Sequence, residues 1–359
     1  MVTAERSYEK VVSAVELAPD DYIIKPFSPE ILHLRLERVI QRKLVFKDYY
    51  QAKADHEFDR AIEILRAVQA GRDGKTYRFE IMRYIASTLL DGGQVDEAIT
   101  QYQEILQLHA FPWASLGLAK AYRLKNRHAE ARETVDGVIR ESPNFFEAYD
   151  LKAGICSDLG DYEAAQAILE QACERTPGNW VRKRTLAVAA TRNGDFGMAM
   201  KVMTEVVESN SGSAADRLEL ARTAIENGAL ADARAAMQGL GAKELAALPP
   251  SEALGIECIR AILDENGGEK KFNSLRQQIA SSSNNGTSGD MDALRAALHF
   301  EDLELADKVA ERLLSGHDAK HAFKVMLAIY QKHDRAPHFK SLQKRVAVSL
   351  IKGRVAADS

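Results

Sequence analysis

GGQVDEA (92–98), KNRHAEA (125–131), LGDYEAA (159–165), NGDFGMA (193–199) and NGALADA (227–233) recur along the chain, and their spacing decides the fold. The closing alanines Ala98, Ala131, Ala165, Ala199 and Ala233 are separated by 33 residues once and by 34 three times. A second alanine stands twelve positions earlier in every copy: Ala86, Ala119, Ala153, Ala187 and Ala221. Gly93, Asn126, Gly160, Gly194 and Gly228 stand five before each closing alanine. Glycine, and less easily asparagine, accepts the left-handed conformation that ends a helix. Pro143 and Pro177 close two of the units.

The pattern predicts a helix–turn–helix unit repeated five times over 77–245. Two antiparallel helices approach closely only where side chains are small, which the paired alanines provide. Tyr102, Val135, Leu169, Met203 and Met237 follow one turn along the second helix, and Ile105, Val138, Ala172, Val206 and Leu240 come three residues later on the same face. One such unit cannot bury its apolar face alone, so neighbours must stack. Residues 45–76 read as a linker and a leading amphipathic helix over 51–70. Residues 246–359 read as divergent hairpins and a C-terminal cap, with Ala297 and Ala306 in small positions and a polar loop over 281–290.

These repeats resemble the tetratricopeptide repeat family over about residues 77–245. The expected fold is therefore mainly α, a tetratricopeptide-type helical-hairpin solenoid. In that family certain positions of each first helix line a concave groove that holds a partner protein or peptide. Carried onto this sequence, the peptide-groove residues are Arg83, Trp113, Lys120, Arg123, Arg184 and Arg222. Cations set around an aromatic suit an extended acidic peptide, through charge-assisted hydrogen bonds. The Lys and Asn positions by which some members clamp a terminal carboxylate are not kept here, so recognition of a chaperone tail is not implied.

Residues 1–44 differ in texture. A short apolar stretch ends at Thr3, a helix is predicted from about Glu5 to Leu17, DDYIIKPF (20–27) reads as a strand, and 29–44 as a helix. Strand–helix–strand–helix predicts a parallel, partial α/β segment. It resembles the latter half of a response-regulator receiver domain: Thr3, Tyr22, Lys25 and Pro26 match the hydroxyl, aromatic and Lys-Pro of that family's switch. The resemblance implies a two-component signalling scaffold. The half that carries the acceptor aspartate and the acidic metal-binding pair is not in this sequence, so phosphorylation in the family's way is not expected. Two open strand edges and an apolar face need cover, and a homodimer through residues 1–50 is the expected form of it.

Composition narrows the rest. Hydrophobic residues make up 46% and charged residues 28%, which excludes wholesale disorder. The net charge of −4, from 48 basic and 52 acidic residues, argues against a global drive towards nucleic acid or an anionic membrane. The absence of long apolar runs and of a signal-peptide layout in the sequence leads to an expectation of a cytoplasmic protein. Catalytic, phosphate-cradling and dinucleotide motifs are missing, so the expectation is a non-enzyme without a cofactor. Cys156, Cys173 and Cys258 are too dispersed for a disulfide framework or zinc site and read as buried thiols. His317 and His321 share a helical face without a third ligand nearby, so no metal is expected. The stretch 315–359 holds nine Lys/Arg against three Asp/Glu, which keeps a nucleic-acid-binding output as the alternative. Its aromatics Phe323, Tyr330 and Phe339 fall at core positions, which weighs against base stacking.

Overall fold

The structure is a computed structural model, and it describes residues 2–3, 20–209, 212–246, 248–281, 286–316 and 319–357. The chain divides into two compact units, Met1–Asn179 and Trp180–Ser359.

The first unit opens with two short strands, β1 (Val2–Thr3) and β2 (Ile23–Ile24). They pair in parallel, Val2 opposite Ile23 and Thr3 opposite Ile24. The helix expected over 5–17 lies outside the described residues. Helix α1 (Pro29–Val45) follows, its start fixed by Ser28, whose Oγ accepts the Ile31 N–H at 3.3 Å. Four hairpins come next: α2 (Lys47–Ala54) with α3 (Phe58–Ala70), α4 (Arg78–Asp91) with α5 (Val95–Leu108), α6 (Pro112–Leu124) with α7 (His128–Glu141), and α8 (Phe146–Leu159) with α9 (Tyr162–Arg175).

The second unit begins with α10 (Trp180–Asn193) and α11 (Phe196–Glu208), then α12 (Ala214–Glu226) and α13 (Leu230–Gln238). A short α14 (Ala242–Ala246) and a 3-10 turn (Pro250–Glu252) lead to α15 (Ala253–Leu263) and α16 (Gly268–Ser281). Two further hairpins complete it, α17 (Gly286–His299) with α18 (Leu303–Ser315), and α19 (Ala319–Lys332) with α20 (Ala336–Ala357). The fold is a tetratricopeptide-type hairpin solenoid preceded by a small α/β segment.

All ten repeat alanines are at 0 or 1% exposure, as close helix packing demands. Their turns share one geometry. Gly93, Asn126, Gly160, Gly194 and Gly228 have φ between 58° and 82°. In each turn that residue's N–H bonds the carbonyl three back, and the next N–H bonds the carbonyl five before it, as in Gly160→Ser157 (2.9 Å) and Asp161→Cys156 (2.9 Å). This is the Schellman termination.

The same turn occurs where the sequence gives no such signal. His56, Glu301 and Asp334 are left-handed at φ 57–60° and make the same pair of bonds. His56 and Glu301 also stand five before buried alanines, Ala61 and Ala306. The helix expected over 51–70 is therefore broken into α2 and α3. A left-handed histidine costs about 1–2 kcal/mol, which the buried contacts of Tyr49, Ala52, Ile62 and Leu65 offset.

Between α1 and α2 only Phe46 departs from helical geometry. Its fully buried ring meets Tyr84 at 5.0 Å and Tyr77 at 5.4 Å. The segment read as a linker is thus tied into the first repeats.

Candidate peptide-binding groove

In the first unit α4, α6 and α8 are the first helices of successive hairpins. Residues spaced by three, four and seven on each share one face. Arg83, Ser87 and Leu90 on α4 meet Trp113, Leu116 and Lys120 on α6 around a cavity of about 770 Å³, closed by Phe145 and Glu147. A second cavity of about 940 Å³ shares Leu90, Asp91, Lys120 and Glu147 with it and continues to Arg123, Asp150 and Asp158. The two form one channel across three repeats.

Its floor depends on a glycine that is not in a turn. A Cβ on Gly117 would sit 2.3 Å from the Tyr102 ring, so only glycine lets that ring lie flat against α6. Burial pushes the Tyr102 hydroxyl up to about 12, so it stays a neutral donor. The Arg83 guanidinium lies 5.5 Å from the Trp113 ring centroid, close enough for a cation–π contact. Lys120 is exposed, and neither cation has a carboxylate partner among the described residues.

Arg123 is held differently. Its Nε and Nη2 donate to the two oxygens of Asp158 at 2.5 and 3.0 Å, and it lies over Gly154, where a Cβ would meet it at 2.6 Å. A bidentate pair of this kind is a fixed tie.

The remaining two arginines of the expected groove are in the second unit. Arg184 makes a bidentate pair with Asp216 at 2.6 and 2.9 Å. Arg222, expected to face a peptide, is turned inward. Its guanidinium donates to Asp292 at 2.7–3.2 Å and to Glu252. Arg295 joins the cluster through Asp292 at 2.6 Å and through Glu226. These groups border a cavity of about 410 Å³ formed by α10, α11, α12, α17 and α19. Asp292 lies 70 residues beyond Arg222, and nothing in the repeat spacing announces it.

The repeats seen in space have a counterpart in known proteins. One tetratricopeptide-repeat family model matches residues 89–155 and another matches residues 146–179. Together the two matches make residues 89–179 similar to tetratricopeptide repeats. The groove floor and Lys120 thus belong to repeats that are also recognised by sequence. No curated protein matches the chain. Similar solved structures include a tetratricopeptide repeat protein from Parabacteroides merdae, 13% identical, with a TM-score of 0.46 over 74% of this chain and 98% of that one. The C-terminal part of a tetratricopeptide repeat-containing protein from Cytophaga hutchinsonii is 14% identical, at 0.45 over 66% and 97%. YrrB, described as a TPR protein with an unusual peptide-binding site, is 16% identical, at 0.39 over 47% and 90%.

At the N-terminus, Thr3 lies in register with Ile24, one residue before Lys25. The Lys25–Pro26 peptide is cis. Tyr22 is half-buried, and its carbonyl accepts from Arg35 Nη1 at 3.2 Å. His317 lies outside the described residues. No group of three or more His, Cys, Asp or Glu able to hold a metal ion occurs among the described residues, and no helix among them is long and apolar enough to cross a membrane. All three cysteines are buried, and burial pushes the Cys258 thiol up to about 12. Tyr330 and Phe339 are fully buried against each other at 4.8 Å, which removes both from any base-stacking surface.

Proposed function

We propose that the protein is a non-enzymatic scaffold whose first-unit groove holds an extended peptide of a partner protein, with Arg83, Trp113 and Lys120 as the contacting residues. The single observation behind this reading is that the channel gathers these three from successive repeats, with neither cation in an ion pair among the described residues. Arg123, Arg184 and Arg222 then act as internal ties. Reversing both free charges, in Arg83→Glu with Lys120→Glu, is expected to cut partner capture about tenfold or more, since charge-assisted bonds at a desolvated contact are worth at least 1.4 kcal/mol. Circular dichroism should stay unchanged, as both side chains are exposed. Undiminished capture would sink the reading.

The N-terminal segment is proposed as a receiver-like segment that serves pairing. The parallel strand pair followed by α1 supports it, as do Ile31, Leu34, Leu36, Ile40 and Leu44 of α1, each about half exposed. Apolar side chains in such number along one helix call for a cover. Light scattering should give a dimer mass for the wild type and a monomer mass for Leu36→Glu with Ile40→Glu. A concentration-independent monomer mass for the wild type refutes the pairing. The joint at Phe46 would carry changes in α1 to the repeats, so this reading is of regulated scaffolding within two-component signalling.

A further inference from the structure

We propose that a shelf of aromatic rings at the head of the groove is the anchor subsite for an aromatic side chain of the partner, set among carboxylates. The inference rests on the groove reading and extends it to residues outside the concave face.

Phe79, in the first turn of α4, meets Phe111 edge to face at 5.0 Å, and Phe111 stacks on Trp113 at 5.2 Å and on His109 at 4.2 Å. The Phe79 ring is 41% exposed, and Phe111 and Trp113 are half-buried. Guanidinium groups stand at both ends, Arg78 at 5.6 Å from Phe79 and Arg83 at 5.5 Å from Trp113. Trp113 also lines the channel, so the shelf is continuous with it.

Charge decides the occupant. Neighbouring cations of this unit are consumed internally: Lys53 by Asp91 at 2.9 Å, Lys152 by Asp136 at 2.7 Å, and Arg123 by Asp158. Arg78, Arg83 and Lys120 have no carboxylate partner among the described residues. A guanidinium stacked on a ring keeps its N–H edge free to donate. The shelf therefore offers ring faces for one aromatic side chain and donors on either side for acidic neighbours, the composition that concentrates binding energy at interfaces. A nucleic-acid strand would use the rings as well, but it carries a phosphate at every step and would set them against Glu147 and Asp150 along the channel, whereas a short peptide places its acids beside the anchored ring, where Arg78 and Arg83 stand. The observations favour the acidic peptide.

The test uses the full chain and fluorescence anisotropy with three labelled probes: the peptide Asp-Glu-Asp-Phe-Glu-Asp-Glu, the same peptide with Ala for Phe, and oligothymidylate. The Phe peptide should bind about tenfold more tightly than the Ala peptide, as expected for a buried aromatic anchor. Phe79→Ala with Phe111→Ala should erase that difference while leaving the Ala peptide's affinity unchanged. Should the double variant lose its helical signal, Phe79→Ser alone, at the exposed ring, is to reduce the difference. Lys120→Glu should weaken both peptides. Equal binding of the two peptides with Lys120 dependence retained overturns the shelf and spares the groove. Binding of neither peptide overturns both readings. Tighter binding of oligothymidylate, or a fall in molecular mass in the shelf variant, assigns the rings to nucleic acid or to a second copy and overturns the proposal.

Discussion

Ala119→Leu should unfold the first unit under conditions where the wild type is folded. Ala119 sits at 0% exposure on α6, at the small position facing its partner helix, and the closing Ala131 on α7 is equally buried. Three added carbons have no cavity to enter, so the helices must separate or the side chain must leave its rotamer. Overpacking costs about 1–3 kcal/mol in an adaptable core. Here backbones approach through alanines, and each hairpin supports the next, so we expect the upper end or beyond. Against a total stability of about 5–15 kcal/mol that is a large share. Leu124→Ala on the same helix is the control. That side chain is 60% exposed, and its loss should fall within about 0.5 kcal/mol. Urea midpoints followed by circular dichroism and by tryptophan emission decide between the two. Equal midpoints for Ala119→Leu and Leu124→Ala would mean the alanines do not set the helix approach.

Asp292→Asn should destabilise the second unit by about 3–5 kcal/mol, the usual cost of breaking a buried ion pair from one side. The carboxylate is fully buried and accepts from both Arg222 and Arg295. Gly255 makes the space, since a Cβ there would stand 2.6 Å from Asp292 Oδ2. Asparagine keeps the shape but leaves two guanidinium groups facing one neutral oxygen. Burial by itself would lower the Arg222 pKa, and in the wild type the Asp292 charge carries it above the usual arginine range, a compensation that asparagine removes. Replacing Arg222 by Met together with Asp292 by Leu should recover part of the loss, because an apolar pair needs no compensation. A thermal transition within experimental error of the wild type for Asp292→Asn would show that the cluster contributes little.

The candidate site was legible only in part, for reasons visible residue by residue. Arg83, Trp113 and Lys120 could be placed by helical register because they line consecutive first helices of regular repeats. Phe111 keeps the 34-residue period with Tyr77 and Phe145, and Phe79 keeps it with Trp113, but the period does not say that rings from adjacent repeats pack into one shelf. Gly117 sits inside a helix, outside the turn pattern of the repeats, and only the structure shows that the Tyr102 ring approaches it. Arg222 kept the groove register and still faces inward, because the group that captures it is folded in from α17.

The chain alone determined the hairpin and its period. Alanines at two fixed positions and a left-handed residue five before one of them are local requirements, met within a single unit of 34 residues. Tertiary structure decided what local pattern cannot encode. It showed that His56, Glu301 and Asp334 make the same turn without glycine, because packing on either side offsets a strained φ. It also decided which arginines are spent on internal carboxylates and which have no such pair among the described residues. Ion pairing depends on what lies within a few ångströms in space, and in a folded solenoid those neighbours come from 30 to 70 residues away.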